Sequence, residues 1–204
     1  TAQDIANFET AAVAGGTVTC SGGKYAINDS VNLGPKKIPC DLEITGSGSE
    51  GGPVITLGGP VWATGNIILK NHLTVRVDPT LVDQSIVMVA DNPSNHSTGS
   101  TVDIQGSNVV FAGAPGGKSW VMLISENTSA SQSGSTDAIQ ILQGAQGDVL
   151  VYARLGNIRL EQNSSVKEVT AYKITLRNTA NVIYQSGLQN ALFTSGPGGT
   201  WTIL

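Results

Sequence analysis

The sequence predicts an all-β protein, and three observations carry this prediction. Only 13% of the 204 residues are charged, whereas about 25% is usual for a soluble domain. Short runs that alternate apolar and polar residues follow one another from Thr17 onward, separated by turn residues. The same strand-and-turn pattern also recurs at a fixed offset along the chain. Together these features are typical of many short strands joined by polar turns.

One amphipathic helix is expected before the strands, over residues 3–14. Ile5, Phe8 and Ala12 fall on a single helical face, and Asp4 lies in the first turn, where a carboxylate favours the helix dipole. Two glycines at positions 15 and 16 end the pattern. We predict that residues 1–16 form a cap on one end of a β-helix domain made by residues 17–204.

The strands themselves are predicted from runs with a period of two, such as Ile158-Arg159-Leu160-Glu161, which give one buried face and one wet face. They are expected at residues 41–45, 54–57, 66–70, 73–77, 85–90, 101–105, 108–111, 119–125, 138–142, 148–153, 157–161, 166–170, 172–177, 181–184 and 200–204.

The repeat distinguishes two all-β architectures. Ile158 and Ile174 lie 16 residues apart, as do Val166 and Val182, and asparagines occupy the intervening turns. A constant offset indicates stacked coils, and asparagine tolerates the left-handed backbone of their turns. An antiparallel sandwich would be expected to use Asn-Gly or Asp-Gly hairpins, and neither dipeptide occurs. We therefore favour a right-handed parallel β-helix over the sandwich.

The two cysteines, Cys20 and Cys40, are either one disulfide or two buried thiols. In a chain so poor in charge and rich in Ser, Thr and Asn, we favour the disulfide, which implies an oxidising, extracytoplasmic location. There is no C-x-x-C motif, and His72 and His96 have no ligand spacing. No metal or cofactor site is predicted.

Charge argues against nucleic acid as a partner, because the net charge is −4 and no basic stripe is visible. Asp41 and Glu43 share one side of a strand. Glycosidases commonly use a pair of carboxylates as their catalytic residues. The favoured interpretation is two solvated residues at a sheet edge. The aspartates Asp78, Asp83 and Asp91 flank strand ends and are expected to cap turns. We predict that the protein is not an enzyme.

Three tryptophans, Trp62, Trp120 and Trp201, follow glycine- and proline-rich turns. An exposed tryptophan can stack on a sugar or anchor a protein partner. The favoured alternative is that each ring covers the core beside a tight corner. The terminal strand that contains Trp201 is expected either to close the helix or to offer its edge to another copy.

Several stretches, taken in order, resemble a family of uncharacterised bacterial surface proteins. The stretches are residues 27–38, 64–67, 166–174, 182–190 and 193–201. Members of that family, common in candidate phyla and found among type IV pilus components, join a pilin-like membrane anchor to a β-helical ectodomain. This sequence lacks the hydrophobic anchor and a few residues that usually follow the tryptophan strand.

The resemblance implies an extracellular or cell-surface location, an association with pili and a β-helical architecture, and it adds no catalytic residues. Because no carboxylates cluster at coil spacing either, the favoured interpretation is a non-enzymatic module that is structural or adhesive. Its expected partners are pilus components or surface glycans, and it would meet a membrane only through an upstream anchor. Two alternatives stay open at this point. One is a polysaccharide lyase or hydrolase on the same fold, and the other is a filament subunit that self-associates through its terminal strands.

Overall fold

A computed structural model describes residues 1–48, 51–185 and 188, together with the backbone of two strands at 192–194 and 200–202. Helix α1 spans Ala2–Ala14, and short 3-10 helices occur at Pro79–Leu81 (η1) and Ala130–Gln132 (η2). The strands are β1 (Lys24–Ile27), β2 (Val31–Leu33), β3 (Lys36–Ile38), β4 (Asp41–Thr45), β5 (Val54–Leu57), β6 (Val61–Ala63), β7 (Ile67–Lys70), β8 (Leu73–Val77), β9 (Gln84–Ala90), β10 (Val102–Gln105), β11 (Val109–Ala112), β12 (Val121–Ser125), β13 (Asp137–Ile141), β14 (Gln146–Gly147), β15 (Val149–Leu160), β16 (Ser165–Val166), β17 (Glu168–Leu176), β18 (Asn181–Val182), β19 (Leu192–Thr194) and β20 (Thr200–Thr202).

The strands stack into coils with three faces. Face A consists of β1, β4, β7, β10, β13 and the C-terminal halves of β15 and β17. Face B consists of β3, β6, β9, β12 and the N-terminal halves of β15 and β17. Face C consists of β2, β5, β8, β11 and β14, followed by β16 and β18. Pairing within each face is parallel, which confirms a parallel, solenoid-like all-β fold with one short N-terminal helix.

The register confirms the predicted offset of 16 residues. Ile158 pairs with Ile174 on face A, and Val166 pairs with Val182 on face C. The predicted use of asparagine in turns is also confirmed, since Asn71 has a φ of 61° and Asn163 a φ of 60°. These are left-handed conformations, which asparagine adopts at lower cost than other residues with a Cβ.

The core runs along the axis of the coils as ladders of inward side chains. On face A one ladder consists of Ile44, Leu69, Ile104, Ile141 and Leu160, each on the strand above the last. All five side chains are fully buried. Burying a side chain of this size stabilises the fold by about 1.5–3 kcal/mol. The alternation seen in the sequence therefore places columns of apolar side chains on the inside of face A.

The first coil is covered by the segment that precedes β1. The N–H of Val18 donates to the carbonyl of Lys37 (3.0 Å), and the N–H of Lys37 donates to the carbonyl of Gly16 (2.9 Å). The predicted disulfide is confirmed, with Cys20 and Cys40 joined at an S–S distance of 2.03 Å. The disulfide thus fastens residues 17–23 to the turn before β4.

Helix α1 lies on the outside of face B, and the prediction that it caps an end is wrong. Its Ile5 and Phe8 are buried in an outer cluster whose other fully enclosed members are Val87, Val89, Trp120, Met122, Ile124, Leu150 and Leu188. The reason is visible in β9 and β12, where apolar residues occupy both sides of the strand instead of alternating with polar ones. Such strands need cover on two sides, and α1 supplies the second.

The helix has the length needed to cross five coils. Thirteen helical residues extend about 20 Å, and the four spacings between β3, β6, β9, β12 and β15 amount to about 19 Å. At the β3 end, Lys36 Nζ donates to the carbonyl of Gly15 (2.5 Å). At the other end, burial raises the pKa of Tyr152 on β15, and the carboxylates of Glu126 and Asp4 add to this effect. The N-terminus of α1 therefore lies near β15.

Candidate functional site

A concave region of about 380 Å³ opens at the side of face A, between the solenoid and the loop that joins β12 to β13. Its wall is the loop, and its floor carries one residue from each of three neighbouring strands. The lining residues are Ala130, Ser133, Gly134, Ser135, Thr136, Asp137, Asn157 and Lys173. We refer to this region as the face A cavity.

The wall of the cavity is held in shape by a buried hydrogen-bond network. Asn127 is fully buried, and its Nδ2 donates to the carbonyl of Gly99 (2.7 Å) while its Oδ1 accepts from the N–H of Ser129 (2.9 Å). The hydroxyl of Ser129 in turn accepts from the N–H of Thr136 (3.0 Å). A loop fixed in this way is preorganised, so a ligand would not have to order it.

The floor is a polar ladder made by the register of the coils. Asp137 pairs with Asn157, and Asn157 pairs with Lys173, on successive strands. Asn157 Nδ2 donates to Asp137 Oδ1 (2.6 Å), and the hydroxyl of Thr175 donates to Asn157 Oδ1 (3.2 Å). Asn157 is only 8% exposed. These bonds fix the position of the polar atoms that face the cavity.

The charged groups at the cavity differ in how freely they can meet a ligand. Arg159 Nε lies 3.0 Å from Asp137 Oδ2 and 3.7 Å from Glu161 Oε1, and Arg159 Nη2 donates to Gln140 (2.7 Å). Lys173 is exposed and makes no ion pair or side-chain hydrogen bond within the described residues. The available cation of the cavity is therefore the ammonium group of Lys173.

The predicted contact tryptophans lie elsewhere. Trp120 is 2% exposed and belongs to the outer cluster under α1. Trp62 is half-buried on face B, where its Nε1 donates to the carbonyl of Asp91 (3.1 Å) and Lys37 Nζ lies 4.3 Å from its ring centroid. Trp201 falls on β20, and its side chain lies outside the described residues. Where their side chains are described, these rings pack against the solenoid.

Asp41 and Glu43 have structural partners on face A. Asp41 Oδ1 accepts from the N–H of Asn66 (2.7 Å) on the next coil. Glu43 lies between Lys24 (3.1 Å) and Lys70 (3.4 Å), and its hydrogen bond with Lys24 lowers its pKa. Each carboxylate thus links neighbouring coils, which differs from the convergent pair that a glycosidase requires.

Two of the strand-end aspartates bond the backbone of turns, as predicted. Asp78 Oδ1 accepts from the N–H of Thr80 (2.8 Å) at the start of η1, and hydrogen bonds with Thr80 lower the pKa of Asp78. Asp83 Oδ1 accepts from the N–H of Lys118 (2.7 Å) one coil away.

A second group of charges lies between α1 and the C-terminal edge of face B. It comprises Glu9 of the helix and Asp91 and Glu126, which follow β9 and β12. His96 Nε2 lies 2.5 Å from Asp91 Oδ1, and Arg154 Nη2 lies 2.9 Å from Glu126 Oε2.

Glu9 has no such partner among the described residues, and its Oε1 is buried without a basic donor. Burial raises the pKa of Glu9 to about 8, and a hydrogen bond with Asp91 and the charges of Asp91 and Glu126 act in the same direction, against a small opposing effect of Lys37. Both burial and the neighbouring carboxylates therefore favour the protonated form of Glu9.

Sequence reasoning missed both groups. Asp137, Asn157 and Lys173 are 20 and 16 residues apart, and only the offset from Asn157 to Lys173 matches the visible repeat. Among the described residues no group of three or more His, Cys, Asp or Glu side chains could hold a metal ion. The described part of the chain also contains no helix of the length and apolarity needed to cross a bilayer.

No family model, curated protein or solved structure matches this chain, so its function has to be argued from its own geometry.

Proposed function

We propose that this protein is a non-enzymatic, extracellular adhesion module that binds an acidic surface glycan at the face A cavity. The observation that carries the proposal is the ammonium group of Lys173, which has no partner in the described part of the chain and lies beside the fixed Asp137–Asn157 pair. The carboxylate of Asp137 can accept hydrogen bonds from sugar hydroxyls, and the amide nitrogen of Asn157 can donate to them. The ammonium group supplies a charge-assisted hydrogen bond for a carboxylate on the sugar.

The carboxylates beside the cavity support binding better than hydrolysis. Hydrolysis of a glycosidic bond commonly uses two carboxyl groups with separate roles as acid and as base or nucleophile. Here Asp137 and Glu161 both face Arg159, at 3.0 Å and 3.7 Å from its Nε. Both are engaged in one ion-pair network with the same guanidinium group.

The location and the handedness belong to the same proposal. A disulfide that fastens the first coil is a feature of proteins that fold in an oxidising compartment, which supports an extracellular location. Crossovers between parallel strands are right-handed in about 98% of cases, which supports a right-handed solenoid. The association with pili rests on the family resemblance described above.

The test compares oligogalacturonate with its methyl ester, which has the same backbone without the charge. Calorimetric titration is expected to show binding of the acid form and weaker binding of the ester. Lys173→Ala is expected to reduce affinity about tenfold, the loss of about 1.4 kcal/mol that one charge-assisted bond can supply. Lys118→Ala, at an exposed lysine far from the cavity, serves as the matched control.

Two results would contradict the proposal. Equal affinity of the wild type and Lys173→Ala for the acid form would remove the cavity as the binding site. Shortening of the oligosaccharide during the titration, detected by mass spectrometry, would show that the protein is an enzyme.

A further inference from the structure

The last coil of the solenoid leaves core positions exposed. Ile174 and Leu176 are in register with Ile158 and Leu160, and Val182 is in register with Val166. The three earlier residues are fully buried, whereas Ile174, Leu176 and Val182 are 47%, 50% and 42% exposed. Apolar side chains placed at core positions but open to water normally mark a surface that another element covers.

The backbone at this end is open as well. Strand β17 has nine residues, and its only partner among the described strands is β15. The N–H groups of Lys167 and Arg177 donate to the carbonyls of Val149 and Leu160. Because alternate residues of a parallel strand bond to opposite sides, the N–H groups of Ile174 and Leu176 point away from β15. The free edge of β17 can therefore accept an added strand.

The first and last coils of the solenoid differ in how they are covered. Residues 17–23 and the disulfide cover the first coil. After Tyr184, the described parts of the chain return to the flank, where Leu188 joins the outer cluster and β19 pairs with β9 at Gln84 and Ser85. No described residue lies as a strand against the free edge of β17.

Charge decides which occupant suits this end. Residues 167–184 carry three cations, Lys167, Lys173 and Arg177, and one carboxylate, Glu168, so this coil has a net charge of +2 in a chain of −4. Arg177 Nη1 lies 3.6 Å from Glu161 Oε1, and Lys167 Nζ lies 4.0 Å from Asp148 Oδ1. The Arg177 side chain is nevertheless 59% exposed, so it remains accessible to a further carboxylate. Two copies placed end to end at this coil would bring like charges together, which disfavours self-association. An acidic partner would instead be attracted.

We infer that the free edge of β17 is a docking site for an extended segment of another polypeptide in which apolar and acidic residues alternate. Its backbone would continue the face A and face B sheets by one strand. Its apolar side chains would cover Ile174 and Leu176, and its carboxylates would meet Arg177 and Lys167. Lys173 contributes to the charge of this coil and also lines the face A cavity. The free edge of β17 and the exposed Ile174 and Leu176 carry this inference without the glycan.

The experiment uses a fluorescein-labelled peptide as long as β17, in which valine alternates with glutamate, and the same peptide with lysine in place of glutamate. Fluorescence anisotropy with the full chain is expected to show binding of the glutamate peptide only. The double variant Lys167→Glu/Arg177→Glu is expected to bind the glutamate peptide about tenfold more weakly and to gain affinity for the lysine peptide. Lys24→Glu reverses one charge on β1, at the opposite end of the stack from β17, and is expected to change neither peptide's affinity.

Failure to bind the glutamate peptide, or binding that the charge reversal does not alter, would overturn the inference. Ile174→Asp tests the apolar contact separately, because this side chain is already half-exposed; undiminished peptide binding by this variant would count against the site. Sedimentation velocity tests whether a second copy of this chain occupies the site instead. A dimer that forms with rising concentration and disappears in Ile174→Asp would show that a second copy fills the end and that the peptide proposal is wrong.

Discussion

Replacing Glu9 with glutamine is expected to stabilise the protein at alkaline pH and to leave it almost unchanged at acidic pH. Glu9 projects from α1 toward Asp91, with Glu126 nearby, and Lys37 is the cation that opposes their effect on its pKa. Arg154 forms an ion pair with Glu126, and His96 Nε2 lies within hydrogen-bond distance of Asp91 Oδ1. Glutamine keeps the shape of the side chain, never ionises, and can donate its amide hydrogen to the carboxylate of Asp91.

The direction follows from the pKa of Glu9 in the two states. In the unfolded chain the carboxyl ionises near its ordinary pKa of 4.5, whereas in the folded chain its pKa is raised to about 8. The stability contributed by the protonated group is therefore complete below pH 4.5 and is lost as pH rises through this window. A shift of this size corresponds to at most about 5 kcal/mol. Partial exposure of Glu9 and its coupling to Asp91 reduce this to about 2 kcal/mol.

Urea denaturation of the wild type and Glu9→Gln, at pH values near 4.5 and near 8, measures the effect. At the higher pH the free energy of unfolding of Glu9→Gln should exceed that of the wild type by about 2 kcal/mol, with a Tm about 4–8 °C higher. Glu43→Gln is the matched control with the opposite sign, because the lysines around Glu43 lower its pKa. Its destabilisation should be present at the higher pH, largely retained near pH 4.5, and lost only as the pH falls further below 4.5. A difference between Glu9→Gln and wild type that is the same at both pH values would refute the reasoning.

Three further outcomes are expected. Reducing the disulfide between Cys20 and Cys40 should lower the free energy of unfolding by about 3 kcal/mol in the chain-entropy model, and an unchanged urea midpoint after reduction would contradict this. Ile104→Ala should cost about 2–5 kcal/mol because the side chain is fully buried, and the matched Ile174→Ala at the exposed end should cost clearly less in the same denaturation assay; equal losses would argue that the last coil is covered in solution. Asn71→Ala should lower the free energy of unfolding by about 1 kcal/mol because alanine is strained at a φ of 61°, whereas Asn71→Gly, which has no such strain, should lower it less; the reverse order would exclude backbone strain as the cause.

The middle coils were predictable because their strands have one buried and one wet face. The strands at 41–45, 54–57 and 73–77 were predicted with the bounds that the structure gives. The first coil was not predicted, since β1, β2 and β3 contain only three or four residues each. Strands that short acquire their stability from the coil stacked on them, which a local pattern does not reveal.

The prediction of where α1 lies was wrong for a different reason. The apolar runs of β9 and β12 were visible in the sequence, and their outward side chains form the surface against which α1 packs. A continuous apolar run indicates burial on both sides without saying what lies there. The face A cavity could not be predicted either, because its wall of small polar residues at 130–136 has no local pattern and its floor depends on the register of three coils.

The placement of α1 has a consequence for the order of folding. A stack of coils gains most of its contacts between neighbours and can in principle grow one coil at a time. Ile5 and Phe8, however, pack against residues as distant in sequence as Met122, Ile124 and Leu150. During synthesis the helix leaves the ribosome first, yet the surface that it needs exists only after β12 and β15 have been made. Contacts of such long range form late, so α1 should dock as the closing step and lock five coils into one cooperative unit.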